Sequence, residues 1–145
     1  MIVVGQKERI GAWVAEQIGN TSPWHGYEAI GIERDGELVG GVVIDNYLPG
    51  GRCSVHCAGR GQNWLTREFL RVVFVYVFRQ LDCNVVLNIV SCPNHASMRF
   101  TRHLGFRCVH IIERGGRGGA DAALFELKKA EIGRASCRER VSSPV

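Results

Sequence analysis

Residues 64–81 constrain the fold most, because this segment is apolar on almost every side. The four valines between Val72 and Val77 favour a strand by intrinsic propensity. A segment of this length is, however, long for a strand and ordinary for a helix. We therefore predict a helix over residues 64–81. A helix that is apolar on most faces has to be buried, and a neighbouring sheet is the partner we expect.

The rest of the chain supplies the strands for that sheet. Alternating apolar patterns predict strands, and spacings of three and four residues predict helices. In chain order the prediction is a β-like start at 2–4, a helix at 6–18, strands at 27–34, 38–47 and 53–58, the long helix, a strand at 84–90, a helix at 96–104, and strands at 106–112 and 122–127. The turn dipeptide Asp35-Gly36 joins two of these strands as a hairpin. The order predicts an α/β (α+β) fold with a central mixed, largely antiparallel sheet flanked by helices.

Length and composition exclude several classes of protein. The chain of 145 residues suits one domain, and 46% hydrophobic with 22% charged residues is ordinary for a globular protein. No stretch approaches the roughly 20 apolar residues of a membrane span, and the start lacks the apolar core of a signal peptide. We therefore expect a cytoplasmic protein with no membrane partner. The net charge of +4 is scattered along the chain, which makes a nucleic-acid partner unlikely.

Residues 131–145 (EIGRASCRERVSSPV) differ in character from what precedes them. They lack apolar periodicity, and the run 131–141 resembles the in-frame translation of a sequencing-library adapter. We predict a single domain over residues 1–130 and a non-native tail over residues 131–145.

The cysteines favour reduced thiols in the core. Five of the six lie in or beside strand-like or apolar runs: Cys53, Cys57, Cys83, Cys92 and Cys108. Free cysteine is among the most buried residue types, and no secretory signal supports a disulfide framework. A zinc site from Cys53, His56 and Cys57 is an alternative, but the chain has no C-x-x-C pair, and we predict no metal.

Two groups of motifs carry a resemblance to a known family. Residues 93–99 (PNHASMR) with 103–106 (HLGF) resemble the N-x-A-S-x-R…L-G-F pattern of GNAT N-acetyltransferases that modify ribosomal-protein N-termini. Residues 41–47 and 64–70 are similar to short GNAT proteins of tailed phages and prophages. The resemblance covers residues 24–127. It implies the GNAT fold, acetyl-CoA as cosubstrate, and direct acetyl transfer to a primary amine on a protein N-terminus, a lysine or a small molecule.

The resemblance also implies where acetyl-CoA binds. In the family, the pyrophosphate lies on backbone amides at the start of the long helix, where the helix dipole favours an anion. The corresponding residues here are Arg60, Gly61, Gln62, Asn63, Trp64, Leu65 and Thr66. Asn63 and Leu65 stand where the family usually has glycine or alanine, and an alternative alignment on Gly59 and Gly61 shifts the loop by two residues. The pantetheine arm would follow residues 53–58, with contacts at Cys57 and Ala58.

The same resemblance implies the catalytic candidates. The acceptor amine must lose a proton to attack, so a base is needed, and His56 and Asp45 are the candidates. Many family members place a tyrosine seven residues after the turn asparagine to protonate the leaving thiolate. That position is Thr101 here, so Ser97 is the alternative group near the sulfur. Asn94 and Ser97 are also predicted cofactor contacts.

Each of these residues also has a plain structural interpretation. His56 could be a polar residue on a half-exposed strand, Ser97 a solvent-facing helix residue, and Asn94 a helix N-cap. Trp24, next to His25, could line the acceptor site or anchor its loop. The glycine-rich residues 115–119 could flank the acceptor site or form a flexible connection.

Two functions from other classes remain open. One is a non-catalytic GNAT-fold module that binds a phage or host protein, and the other is modification of nucleic-acid bases. The sequence identifies no acceptor and leaves the oligomeric state open, with a homodimer as one option.

Overall fold

A computed structural model describes residues 1–61 and 63–130. The chain divides into two compact units, Met1–Cys83 and the part that begins at Asn84. No helix within the described residues is long and apolar enough to cross a membrane. Gln62 and the predicted tail at 131–145 lie outside the described residues.

The described residues of the first unit form four strands and two α-helices. They are β1 (Ile2–Val3), α1 (Lys7–Ile18), β2 (Glu28–Arg34), β3 (Glu37–Asp45), β4 (Arg52–Gly59) and α2 (Arg67–Val75), with a π-helical segment at Tyr76–Gln80. The strands pair in chain order, each antiparallel to the next. Asp35 and Gly36 both have positive φ, 53° and 80°, as the predicted tight hairpin between β2 and β3 requires.

Helix α1 packs on one face of this sheet. Its side chains Ile10 and Val14 are fully buried, together with Ala29 and Val43 of the strands. A Cβ on Gly41 would lie 2.8 Å from Val14 Cγ2, so the glycine allows the helix to approach β3 closely. Alternate residues of a strand face opposite sides, and Gly40 therefore faces away from α1.

The predicted long helix forms on that opposite side, although it begins later than predicted. Residues 64–66 are not helical, because Thr66 is the N-cap and its Oγ1 accepts a hydrogen bond of 3.0 Å from the Phe69 amide. The four valines between Val72 and Val77 are helical, so segment length outweighs their strand propensity. Phe69 and Val73 are buried.

Residues 84–130, the described part of the second unit, form three strands and one α-helix: β5 (Val85–Ser91), α3 (His95–His103), β6 (Arg107–Ile112) and β7 (Ala122–Lys128). Strand β7 lies between β5 and β6 and is antiparallel to both. Phe125 and Leu127 are buried. The described residues thus form seven strands and three α-helices, which confirms the predicted α/β class with largely antiparallel pairing.

Three of the described cysteines correct the prediction of core thiols. Cys108 is exposed, because its strand β6 pairs with β7 on one side within this unit and has little cover. Cys92 is only partly buried, as is Cys57, whereas Cys53 and Cys83 are buried as predicted.

Candidate functional site

The structure brings the two predicted bases together on one face of the sheet. His56 pairs with Val43, and Asp45 pairs with Ser54, so the two side chains are diagonal neighbours on β4 and β3. His56 Nε2 lies 2.9 Å from Asp45 Oδ1. The His56 side chain is 35% exposed and that of Asp45 is 14% exposed. Thus the histidine remains accessible while the carboxylate is largely enclosed.

Trp24 holds the histidine from the α1 side. Its ring centroid is 4.9 Å from that of His56, and its Nε1 donates a 2.8 Å hydrogen bond to the Gly11 carbonyl. A Cβ on Gly11 would lie 3.1 Å from Trp24 Cδ1 and 2.9 Å from Tyr27 Cε2, so glycine makes room for both aromatic rings. Trp24 is therefore anchored to α1 and touches a predicted site residue.

The hydrogen bond determines which atom of His56 can act as a base. A carboxylate only accepts hydrogen bonds, so the neutral imidazole carries its proton on Nε2 and donates it to Asp45. The lone pair is then on Nδ1. Asp45 orients the ring and would stabilise the imidazolium that forms when Nδ1 takes up a proton.

Cys57 does not belong to this pair, although it follows His56 in sequence. It pairs with Val42, so it lies on the opposite face of the sheet. Burial raises the pKa of the Cys57 thiol to about 12. The thiol therefore stays protonated near neutral pH, and a covalent acyl-cysteine intermediate at this position has no physical support.

The reactivity of the cysteine thiols should follow their exposure. Burial raises the pKa values of Cys53, Cys57 and Cys83, whereas Cys108 is exposed. We expect iodoacetamide at mildly alkaline pH to alkylate Cys108 at least about 100-fold faster than Cys53 or Cys57 in the folded protein, because the thiolate is the nucleophile. Peptide mapping by mass spectrometry measures the rates. The differences should vanish in denaturant, and rapid labelling of Cys57 in the folded state would contradict the assignment.

The loop before α2 holds several predicted cofactor contacts, but its side chains point to different partners. The Arg60 amide extends the β3–β4 pairing by donating to the Val39 carbonyl at 2.8 Å. The Arg60 guanidinium lies 5.7 Å from the centre of the Trp13 ring and 3.4 Å from Gln17 Oε1, both on α1. Gly61 has a positive φ of 74°.

On the other side of this loop, Arg34 donates a hydrogen bond to the Asn63 carbonyl. This contact holds the loop backbone close to the end of β2.

The start of α2 leaves backbone amides without a partner inside the helix. Thr66 Oγ1 accepts a hydrogen bond from the Phe69 amide. The Thr66 carbonyl accepts one from the Leu70 amide. The amides of Arg67 and Glu68 are then the remaining first-turn donors, at the positive end of the helix dipole, and Arg67 adds a positive charge to this turn. Arg67 was not among the predicted contacts. Its place in the first turn is known only once Thr66 is known to be the cap.

Trp64 anchors the loop to the sheet. Its indole lies over Gly40 and Gly59, which are directly paired on β3 and β4. It also contacts Phe69 of α2 edge-on, with ring centroids 6.2 Å apart. Trp64 therefore has a packing role, and the predicted role in binding the cofactor stays a prediction for this residue, as it does for Leu65 and Ala58.

The remaining predicted site residues lie in the second unit. Asn94 Oδ1 accepts a 3.2 Å hydrogen bond from the Ser97 amide, which confirms Asn94 as the N-cap of α3. Ser97 is partly buried. Thr101, at the position of the family tyrosine, is 1% exposed. Its Oγ1 accepts from Asn88 Nδ2 at 3.3 Å, so this side chain serves the core.

The glycine-rich residues 115–119 form a bonded turn rather than a plain connection. Residues Arg117–Gly119 make a 3-10 turn. The Gly116 amide donates to the Ala120 carbonyl at 2.7 Å, and the Arg117 amide donates to Ser91 Oγ at 3.1 Å. In the part of the chain that the structure describes, no three His, Cys, Asp or Glu side chains are grouped to hold a metal ion.

The fold is that of the GNAT acetyltransferases, as solved structures show. The spermidine/spermine N-acetyltransferase SpeG from Vibrio cholerae is similar with a TM-score of 0.74 at 12% identity, covering 94% of this chain and 98% of that one. RimJ from Mycobacterium smegmatis, solved with CoA-disulfide, has a TM-score of 0.70 at 17% identity, covering 97% and 88%. A GNAT-family acetyltransferase from Streptococcus pneumoniae has a TM-score of 0.69 at 13% identity, covering 88% and 98%. No family model matches the chain, and no curated protein matches it in sequence.

Proposed function

We propose that this protein is an acetyl-CoA-dependent N-acetyltransferase that transfers the acetyl group directly to a primary amine. The observation that carries the proposal is the Asp45–His56 pair, an oriented and accessible imidazole on β4 of a GNAT-type fold. The acceptor is an amine of a protein N-terminus, a lysine or a small molecule. The suggested phage origin and the cytoplasmic location are part of the same proposal.

The residues at the start of α2 fit the anionic part of acetyl-CoA. The Arg67 and Glu68 amides and the Arg67 guanidinium would hold the pyrophosphate, and Gly61 lets the loop backbone turn towards it. Binding of CoA-disulfide to RimJ, which shares the fold at low identity, supports this choice of cosubstrate. When bound, acetyl-CoA supplies an activated thioester. Asn94 and Ser97 remain proposed contacts to it.

His56 is the proposed general base. The acceptor amine must be neutral to attack a carbonyl, and His56 Nδ1 is free to take its proton directly or through water. Asp45 keeps that lone pair on Nδ1 and stabilises the imidazolium by a charge-assisted hydrogen bond. Trp24 restricts rotation of the ring. Asp45 is thus a positioning residue rather than the base itself.

No tyrosine is present at the family position to protonate the leaving thiolate, because residue 101 is threonine. Thr101 cannot serve, because it is buried and bonded to Asn88. Ser97 is the proposed donor of a hydrogen bond near the sulfur. A CoA thiolate is also a reasonable leaving group near neutral pH without a strong acid.

Thermal unfolding of the full chain with and without acetyl-CoA tests the cosubstrate. We expect a rise of several degrees in Tm, since a ligand at about 100 times its Kd stabilises by about 2.7 kcal/mol. CoA is the matched control ligand, because it shares the pyrophosphate and lacks the acetyl group. Replacing Arg67 by glutamine should reduce the shift from both.

The absence of a shift in a folded sample would overturn the acetyltransferase proposal. A non-catalytic binding module would then be the better account of the fold. A shift with acetyl-CoA justifies screening amine acceptors by release of free CoA thiol.

A further inference from the structure

A cavity lies in the first unit, on the α2 face of the sheet. Its volume is about 550 Å³, within the range of small-molecule sites. Its lining includes Val4, Glu28 and Ile30 on the strand side and Arg71, Val75 and Arg79 on the helix side. Ile30 pairs with Val42, which is on the face opposite His56. The groove therefore lies on the face opposite the proposed base, and its lining does not include the proposed pyrophosphate contacts Arg67 and Glu68.

The helix side of the groove is one continuous stripe. Arg71, Val75 and Arg79 are each four residues apart, which places them on one side of a helix. The last part of the stripe belongs to the π-helical segment Tyr76–Gln80. Such segments are rare and are often found at functional sites. The arginines are therefore spaced along the groove with apolar surface between them.

The groove combines exposed apolar side chains with arginines that have no ion-pair partner among the described residues. Val4 is 63% exposed and Val75 is 38% exposed, and both line the groove. Among the described residues, neither the Arg71 nor the Arg79 guanidinium has an ion-pair or hydrogen-bond partner. Glu28 is the acid in the lining, so the charge of the lining is positive overall.

Tyr76 adds a hydrogen-bond donor. Burial, followed by the nearby Glu28 and Tyr47, raises the pKa of Tyr76, so its hydroxyl stays protonated. Gln80 supplies an amide at the same end of the stripe as Arg79. The polar groups thus favour an acceptor-rich anionic head, whereas Val4, Val72 and Val75 favour an apolar body.

We infer that this groove binds a small amphipathic anion, with a carboxylate or phosphate head at the arginines and an aliphatic body along the valines. Arginine suits both heads, because its planar guanidinium can bond two oxygens at once. The inference is independent of acetyl transfer. It makes the α2–β2 groove a second ligand site of the protein.

Isothermal titration calorimetry of the full chain with octanoate tests the inference. We expect saturable binding with a Kd of the order of 1 mM or below, as a ligand of this size allows. 1-Octanol, which has no charge, should bind at least about tenfold more weakly. Octyl phosphate distinguishes the heads, since tighter binding than octanoate identifies phosphate as the preferred one.

Two variants locate the site. Arg71→Gln with Arg79→Gln should weaken octanoate binding at least about tenfold, whereas the exposed Arg52→Gln should not change it. Val75→Glu should weaken it similarly while circular dichroism shows a folded chain. The titrations are repeated with CoA present, and competition by CoA would place octanoate in the acetyl-CoA site and overturn the inference. Equal binding of octanoate and octanol, or unchanged binding by the double variant, would also overturn it.

Discussion

Replacing His56 by alanine is expected to lower kcat for acetyl transfer by about 10²- to 10⁴-fold. The variant loses Nδ1, the atom that the Asp45 hydrogen bond leaves free to accept the amine proton. KM for acetyl-CoA should change little, because His56 lies on the α1 face and the anion-binding start of α2 follows Trp64, which packs on the other face. Release of CoA thiol, measured with the best acceptor from a panel of peptide and small-molecule amines, reports the rates.

The controls for His56 separate chemistry from folding. Ser54→Ala changes a residue on the same strand and face, and we expect activity within about twofold of the original. Asp45→Asn should have an intermediate effect, because the ring remains but its tautomer and the imidazolium lose support. An unchanged rate for His56→Ala would remove His56 from the mechanism.

Replacing Gly59 by alanine should lower the free energy of unfolding by about 3 kcal/mol, which is about 10 °C in Tm for a chain of this size. The added methyl group would overlap central atoms of the Trp64 indole, which rests on Gly40 and Gly59. These atoms are not the end of a flexible side chain, so the whole ring has to move. Gly59 does not have positive φ, and the expected effect is therefore steric rather than conformational.

A double-mutant cycle tests this packing directly. In a Trp64→Ala background the space above Gly59 is open, so Gly59→Ala should cost less than about 1 kcal/mol. Urea unfolding gives the four stabilities. Gly51→Ala is the matched control, since its new Cβ would approach only Leu48, at 3.3 Å, and the cost should be small. An equal cost of Gly59→Ala in both backgrounds would show that Trp64 does not lie on this glycine.

Much of the fold could be predicted because its signals are local. The apolar pattern of residues 64–81 predicted a helix, and the turn dipeptide Asp35-Gly36 predicted the β2–β3 hairpin. The first depends on the length of one apolar segment, and the second on the backbone preferences of two neighbouring residues. The start of α2 was predicted three residues early, because apolar character continues through Trp64 and Leu65 and the capping hydrogen bond of Thr66 leaves no periodic signal.

The candidate site was predictable only in part. The residue types at 45 and 56 suggested two alternative bases, but the sequence does not show that they are diagonal neighbours that share one proton. The register of β3 against β4 decides this, because a shift of one residue would place the side chains on opposite faces. The exposure of Cys108 likewise depends on tertiary structure. Among the described residues of its unit, β6 pairs with β7 on one side and with no other strand.

The sequence by itself therefore determined the order of helices and strands and the α/β class, and it limited the candidate bases to His56 and Asp45, since each of these follows from local pattern or residue chemistry. Only the tertiary structure decided that Asp45 orients His56, that Trp24 packs on the ring, and that Trp64 lies on two paired glycines. These contacts join residues from different strands, helices and loops. Strand register and the packing of helices on the sheet set these distances. Neither can be predicted from the spacing of residues along one segment.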